Sequence, residues 1–90
     1  MNTTNSYEHE GELLSEPIIR DLLANYLTFT TWSTGKDIRE EVEEFHLQKG
    51  GGGNQLKDYN TSVYNALHDL IKDKTFDKYK DGNINYYRSL

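Results

Sequence analysis

The stretch "FDKYKDGNINYYRSL", residues 76–90, decides how this chain is read. Two strand-like runs flank Asp81-Gly82. That dipeptide is the strongest short-range hairpin signal, because both residues tolerate the positive φ of a type I′ turn. A two-residue turn at Asp81-Gly82 pairs Lys80 with Asn83 and Tyr79 with Ile84. A three-residue turn that takes in Asn83 shifts that register, and the sequence leaves both open. Phe76, Tyr79, Ile84, Tyr86, Tyr87 and Leu90 supply apolar area for one packed face. An isolated hairpin is marginal in water, so segments upstream must support it.

Working back, "NQLKDYNTSVYNALHDLIKD" (54–73) carries Leu56, Tyr59, Val63, Leu67, Leu70 and Ile71 at helical spacing. The helix starts either at Asn54 or after a short turn, capped by Asn60 or Thr61. The second is favoured, because Asn-Thr-Ser suits a cap better than a helix interior. "STGKDIREEVEEFHLQ" (33–48) opens on a Thr34-x-x-Asp37 capping signature and sets Ile38, Val42 and Phe45 on one face. Four glycines, Gly50–Gly53, end it and read as a flexible connector. "SEPIIRDLLANYL" (15–27) sets Ile18, Ile19, Leu22, Leu23, Tyr26 and Leu27 on one face. Ser15 is its N-cap, and Pro17 is tolerated in the first turn. Between these helices "TFTTWS" (28–33) is β-branched and aromatic and reads as a short strand, with Trp32 in the core.

Ninety residues make one domain. Residues 1–14 are polar and aperiodic and read as a disordered tail, so residues 15–90 form the domain. There is no cysteine, hence no disulfide and no thiolate zinc site. No apolar run approaches membrane-spanning length and no signal peptide is visible, so a cytoplasmic protein without membrane partners is expected. The net charge is −5, which argues against a generic nucleic-acid binder. The charge is uneven, however. It sums to −4 over residues 1–31, −2 over 32–49 and +1 over 50–90. The C-terminal half is where a basic patch can form.

The expected fold is α+β: helix, short strand, helix, helix, two-stranded hairpin. Asn60-Thr61-Ser62, Val63-Tyr64, Leu67 and Leu70, the Asp73–Thr75 break, Asp81-Gly82 and Tyr86-Tyr87 together resemble the recognition helix and wing of winged helix-turn-helix regulators. The ferric-uptake, PadR-like and MarR-like repressors are examples. "STGKDIREEVEEF" resembles the helix that precedes the recognition helix. The resemblance covers residues 15–90. Two features depart from the pattern. The link "HLQKGGGGNQLKDY" is longer than the usual turn of about 3–4 residues. The second helix is also strongly acidic where such helices run close to phosphate.

The resemblance implies a transcriptional regulator that binds double-stranded DNA. Its third helix would lie in the major groove, with Asn60, Thr61, Ser62, Tyr64, Asn65 and His68 facing the DNA. Asn65 would read adenine through its amide, and Thr61 or Ser62 would bond to bases or phosphate. Lys57 precedes the helix, and Lys78, Lys80 and Asn83 would sit on the wing near the backbone or minor groove. One recognition helix reads a half-site, so a homodimer joined through the N-terminal helix is expected. The alternative is an acidic protein-interaction module that binds a basic protein partner, of a size that suits a phage or other mobile element. No catalysis, cofactor or metal is expected. His9, His46 and His68 are far apart in sequence, and the glycine run lacks the Lys-Ser or Lys-Thr of a phosphate loop.

Overall fold

The computed structural model describes residues 6–90. The chain builds helix α1 (Glu16–Asp21), prolonged by a π-helical turn (Leu22–Tyr26), then strand β1 (Ser33–Thr34) and helix α2 (Gly35–Gln48). Helix α3 (Tyr59–Lys72) and strands β2 (Phe76–Asp81) and β3 (Ile84–Ser89) follow. The result is an α+β domain of three helices and a three-stranded antiparallel sheet in the order β1-β3-β2. No helix among the described residues is long and apolar enough to cross a membrane.

The caps explain where the helices start. Ser15 accepts from the Ile18 N–H at 3.4 Å, with Pro17 in the first turn. Thr34 and Asp37 form the expected reciprocal capping box. The third helix corrects the sequence reading. Its N-cap is Asp58, whose carboxylate accepts from both the N–H and the hydroxyl of Thr61. Aspartate satisfies two donors there at once, so the helix begins at Tyr59 rather than after Asn60 or Thr61.

α3 ends in a Schellman motif. Thr75 N–H donates to the Leu70 carbonyl and Lys74 N–H to that of Ile71. Lys74 takes the left-handed conformation that the motif requires (φ 63°), a position usually held by glycine.

The core joins Ile18, Ile19, Leu22 and Leu23 to Ile38 and Val42 of α2 and to Val63, Ala66, Leu67 and Leu70 of α3. Phe29, Phe76 and Tyr87 close it from the sheet side. The π-turn, closed by Leu27 N–H to the Leu22 carbonyl, leaves Tyr26 exposed and Leu27 partly buried.

The hairpin tip differs from both registers considered. Asp81 pairs with Ile84, so the two-residue turn is Gly82-Asn83, and Tyr79 faces Tyr86 rather than Ile84. Gly82 has φ +64° and Asn83 does not enter the positive region. That is the type II′ pattern, which places glycine first.

Three further expectations are corrected. Of the tail read as disordered, residues 1–5 lie outside the described residues. Residues 6–14 form a strap packed on α2 and on the glycine run, with Tyr7 and Leu14 buried. Polarity hid this, because the two apolar anchors are seven positions apart and show no period.

The glycine run is the other half of that contact. Gly11 N–H donates to the Gly50 carbonyl, Gly52 N–H to that of Glu12, and Leu14 N–H to that of Gly53. A defined crossing therefore stands where a flexible connector was expected.

Trp32, expected in the core, is 37% exposed. It lies on the outer face of the sheet beneath the Arg88 guanidinium, 4.3 Å from the ring centre.

Candidate nucleic-acid interface

β3 carries Tyr87 inward, and strand alternation sets the rest. Lys78 stands opposite Tyr87 and Lys80 opposite Asn85. Both lysines therefore share the sheet face that looks toward α3. The outer face carries Tyr79, Tyr86 and Trp32, with Tyr79–Tyr86 centroids 6.1 Å apart and Trp32–Tyr79 centroids 5.6 Å apart. Of the hairpin tyrosines, Tyr87 packs in the core, while Tyr79 is half exposed.

On α3, Asn60, Thr61, Tyr64 and His68 fall on the exposed stripe opposite Val63, Ala66 and Leu70. Asn60, Thr61 and Tyr64 look into a groove of about 470 Å³ between the starts of α2 and α3 and the hairpin tip. Asn83 lines the same groove from the hairpin. Tyr64, His68 and Lys78 meet in a small adjoining crevice floored by Leu67, Ile71 and Tyr87. Six of the ten residues expected at the interface are thus brought together.

The remaining four lie elsewhere. Lys57 is exposed ahead of α3 and Lys80 is exposed on β2. Ser62 is half-buried. Asn65 leans toward α1, where its amide donates to Glu16 at 3.4 Å. Thr61 is exposed but occupied, since its hydroxyl donates to Asp58 at 2.8 Å. The side-chain and backbone hydrogen bonds from Thr61 hold the Asp58 carboxyl below the usual carboxylate range.

Two cations missed by sequence reasoning complete the groove. Lys36 and Arg39, on the first two turns of α2, line it together with Thr34, Gly35 and Asn85. No carboxylate lines it. Tyr59 fixes the approach of the two helices, donating from its hydroxyl to the Arg39 carbonyl at 2.6 Å. Burial of that hydroxyl, with the Glu43 charge behind it, pushes its pKa well above the ordinary value. A cation at a helix N-terminus opposes the macrodipole. Among the described residues, Arg20 is the only lysine or arginine within salt-bridge distance of a carboxylate. Lys36 and Arg39 thus make no salt bridge among the described residues, although Asp37 stands between them in sequence. The signal in the sequence was the Lys-x-x-Arg spacing at the start of α2. It acquires meaning only when α3 is laid beside it.

Against this geometry, no family model, no curated protein and no solved structure matches the chain.

Proposed function

We propose that this is a winged-helix protein that binds double-stranded DNA through the exposed stripe of α3, flanked by the start of α2 and by the β2–β3 hairpin. The reading is supported by the order helix, strand, helix, helix, strand, strand, and by a first strand added beside the returning strand of the hairpin. The observation that carries it is the groove in which Lys36 and Arg39 converge with Asn60, Thr61, Tyr64 and Asn83, the carboxylates nearest to it, Asp37 and Asp58, being engaged in capping hydrogen bonds.

In this account Lys36, Arg39, Lys78 and Lys80 contact phosphates and set the register. Asn60 and Tyr64 then approach base edges. The net charge of −5 is concentrated in residues 1–31, which sum to −4 and whose acids (Glu8, Glu12, Glu16 and Asp21 among them) do not line the groove.

The test is a backbone amide chemical-shift map of the chain on titration with duplex DNA. Shifts should concentrate at residues 34–39, 59–68 and 78–85. Shifts concentrated on the strap, or none at all, would reject the proposal.

A second reading rests on Glu40, Glu41 and Glu44, which are exposed on α2 and make no ion pair among the described residues. A basic protein partner docked there would instead move residues 40–48.

A further inference from the structure

The packed strap brings together side chains that the sequence keeps apart. His9 Nε2 lies 2.6 Å from Asp21 Oδ2. Glu8, His9 and Asp21 each offer one donor atom, and these atoms all lie within 4.8 Å of one another. Among the described residues they are the one such group of three His, Cys, Asp or Glu donors.

We propose that Glu8, His9 and Asp21 form a divalent transition-metal site, able to take Zn²⁺, that staples the strap to α1. One imidazole and two carboxylates are donors that Zn²⁺ accepts, with a fourth position left to water. Bonds of about 2.0–2.1 Å to tetrahedral ligands put donor atoms about 3.3 Å apart. Reaching that spacing needs His9 and Asp21 to separate slightly and Glu8, which is exposed, to swing inward.

The surroundings are already arranged for ligation. Asn25 donates to Asp21 Oδ1 at 2.7 Å, which leaves Oδ2 for the ion. The Tyr26 hydroxyl donates to Glu8 Oε1 at 3.2 Å, which leaves Oε2. His9 Nδ1 faces Glu12 Oε1 at 3.9 Å. When the ion takes the place of the Nε2 hydrogen, the neutral ring carries its proton on Nδ1, toward Glu12. A carboxylate behind a ligating histidine fixes its tautomer and raises its basicity. The Tyr7 ring, edge-on to His9 with centroids 5.5 Å apart, limits rotation of the imidazole. The site has no part in the groove, and a small core gains most from such a staple.

The test is calorimetric titration of ZnCl₂ into the metal-free full chain near neutral pH, paired with thermal unfolding. One ion per chain is expected. Tm should rise by about 15 °C when free Zn²⁺ is about 100-fold above Kd. His9→Gln and Asp21→Asn should abolish uptake, and Glu12→Gln should weaken it by about 10–100-fold. His68→Gln should leave it unchanged. Co²⁺ added to the unaltered chain should give visible d–d bands, a readout that no variant's folding can confound. No uptake by the unaltered chain would overturn the proposal. So would uptake that survives in His9→Gln but is lost in His68→Gln.

Discussion

The Tyr7 hydroxyl donates to Nδ1 of His46 at 2.8 Å, across 39 residues of sequence. The direction of that bond is settled on the other side of the ring. His46 Nε2 lies 2.8 Å from the Glu12 carbonyl, which only accepts, so Nε2 carries the proton and Nδ1 receives from Tyr7. Among the described residues His46 is the one buried residue with a polar or charged side chain outside the aromatic and aliphatic core, and both of its nitrogens are spent on the strap. Tyr7→Phe therefore leaves a buried acceptor without a partner. It should cost about 1–3 kcal/mol, seen as a fall of at least about 4 °C in Tm. An unchanged Tm would mean that the strap contributes nothing to the fold.

Gly51 lies flat against the His46 ring, and a methyl group there would overlap the imidazole. Gly51→Ala should destabilise by about 1–3 kcal/mol through overpacking. Gly53, with nothing within 4 Å of an added Cβ, should accept alanine at little cost. Denaturant melts of the two variants compare them directly, and equal midpoints would contradict the packing described.

Two turn positions should respond in opposite directions. Lys74 holds a left-handed conformation at the α3 terminus, so Lys74→Gly should stabilise by roughly 0.5–1 kcal/mol. Gly82, at φ +64° in the hairpin tip, should lose about 1–2 kcal/mol as Gly82→Ala. Urea midpoints would report both. A destabilised Lys74→Gly would show that the lysine side chain does more than occupy the turn.

Stability should fall at both ends of the pH scale, for different reasons. Burial, reinforced by Tyr26, Asp21, Glu12 and Glu8, pushes the Tyr7 hydroxyl up to about 12. A raised folded-state pKa gives stability that is complete below the unfolded value of about 10 and is lost as pH climbs toward 12. At Asp21, burial acts upward, but hydrogen bonds from His9 and Asn25 outweigh it, and the carboxyl is lowered overall. That contribution is present above about pH 4 and is lost as pH falls through the lowered folded-state value. Melts from pH 3 to 12 should show Tyr7→Phe less sensitive than the parent above pH 10, and Asp21→Asn less sensitive below pH 4. Parallel curves would disprove both assignments.

The legible parts of the fold were those written in local pattern. Ser15, Thr34 and Asp37 declared two helix starts by cap chemistry. Ile38 and Val42, like Val63, Leu67 and Leu70, declared buried faces by period. The exposed side of α3 was only partly legible: Thr61, Tyr64 and His68 are exposed as expected, but Asn60 was read as a cap, Ser62 is half-buried and Asn65 turns to Glu16. What escaped depends on distant contact. Tyr7 and His46 have no sequence pattern in common, and the glycine run gave no sign that a strap would lie along it. Trp32 has the composition of a core residue, yet it lies on the outer face against Arg88 and Tyr79. Lys36 and Arg39 looked like ordinary helix-surface charge until the start of α3 was set beside them. The hairpin slipped because Asp-Gly and Gly-Asn both make good turns, and only pairing along β3 selects between them.

Fluorescence anisotropy of a labelled short DNA duplex, from low to physiological salt, reports DNA recognition through this groove. The unaltered chain is compared with Lys36→Ala/Arg39→Ala and with Lys78→Ala/Lys80→Ala. Binding is expected, with a log–log salt slope of about −0.9 per phosphate contacted. Each double variant should make that slope shallower by roughly 2. No binding at low salt, or a slope that neither variant changes, would contradict DNA recognition through this groove.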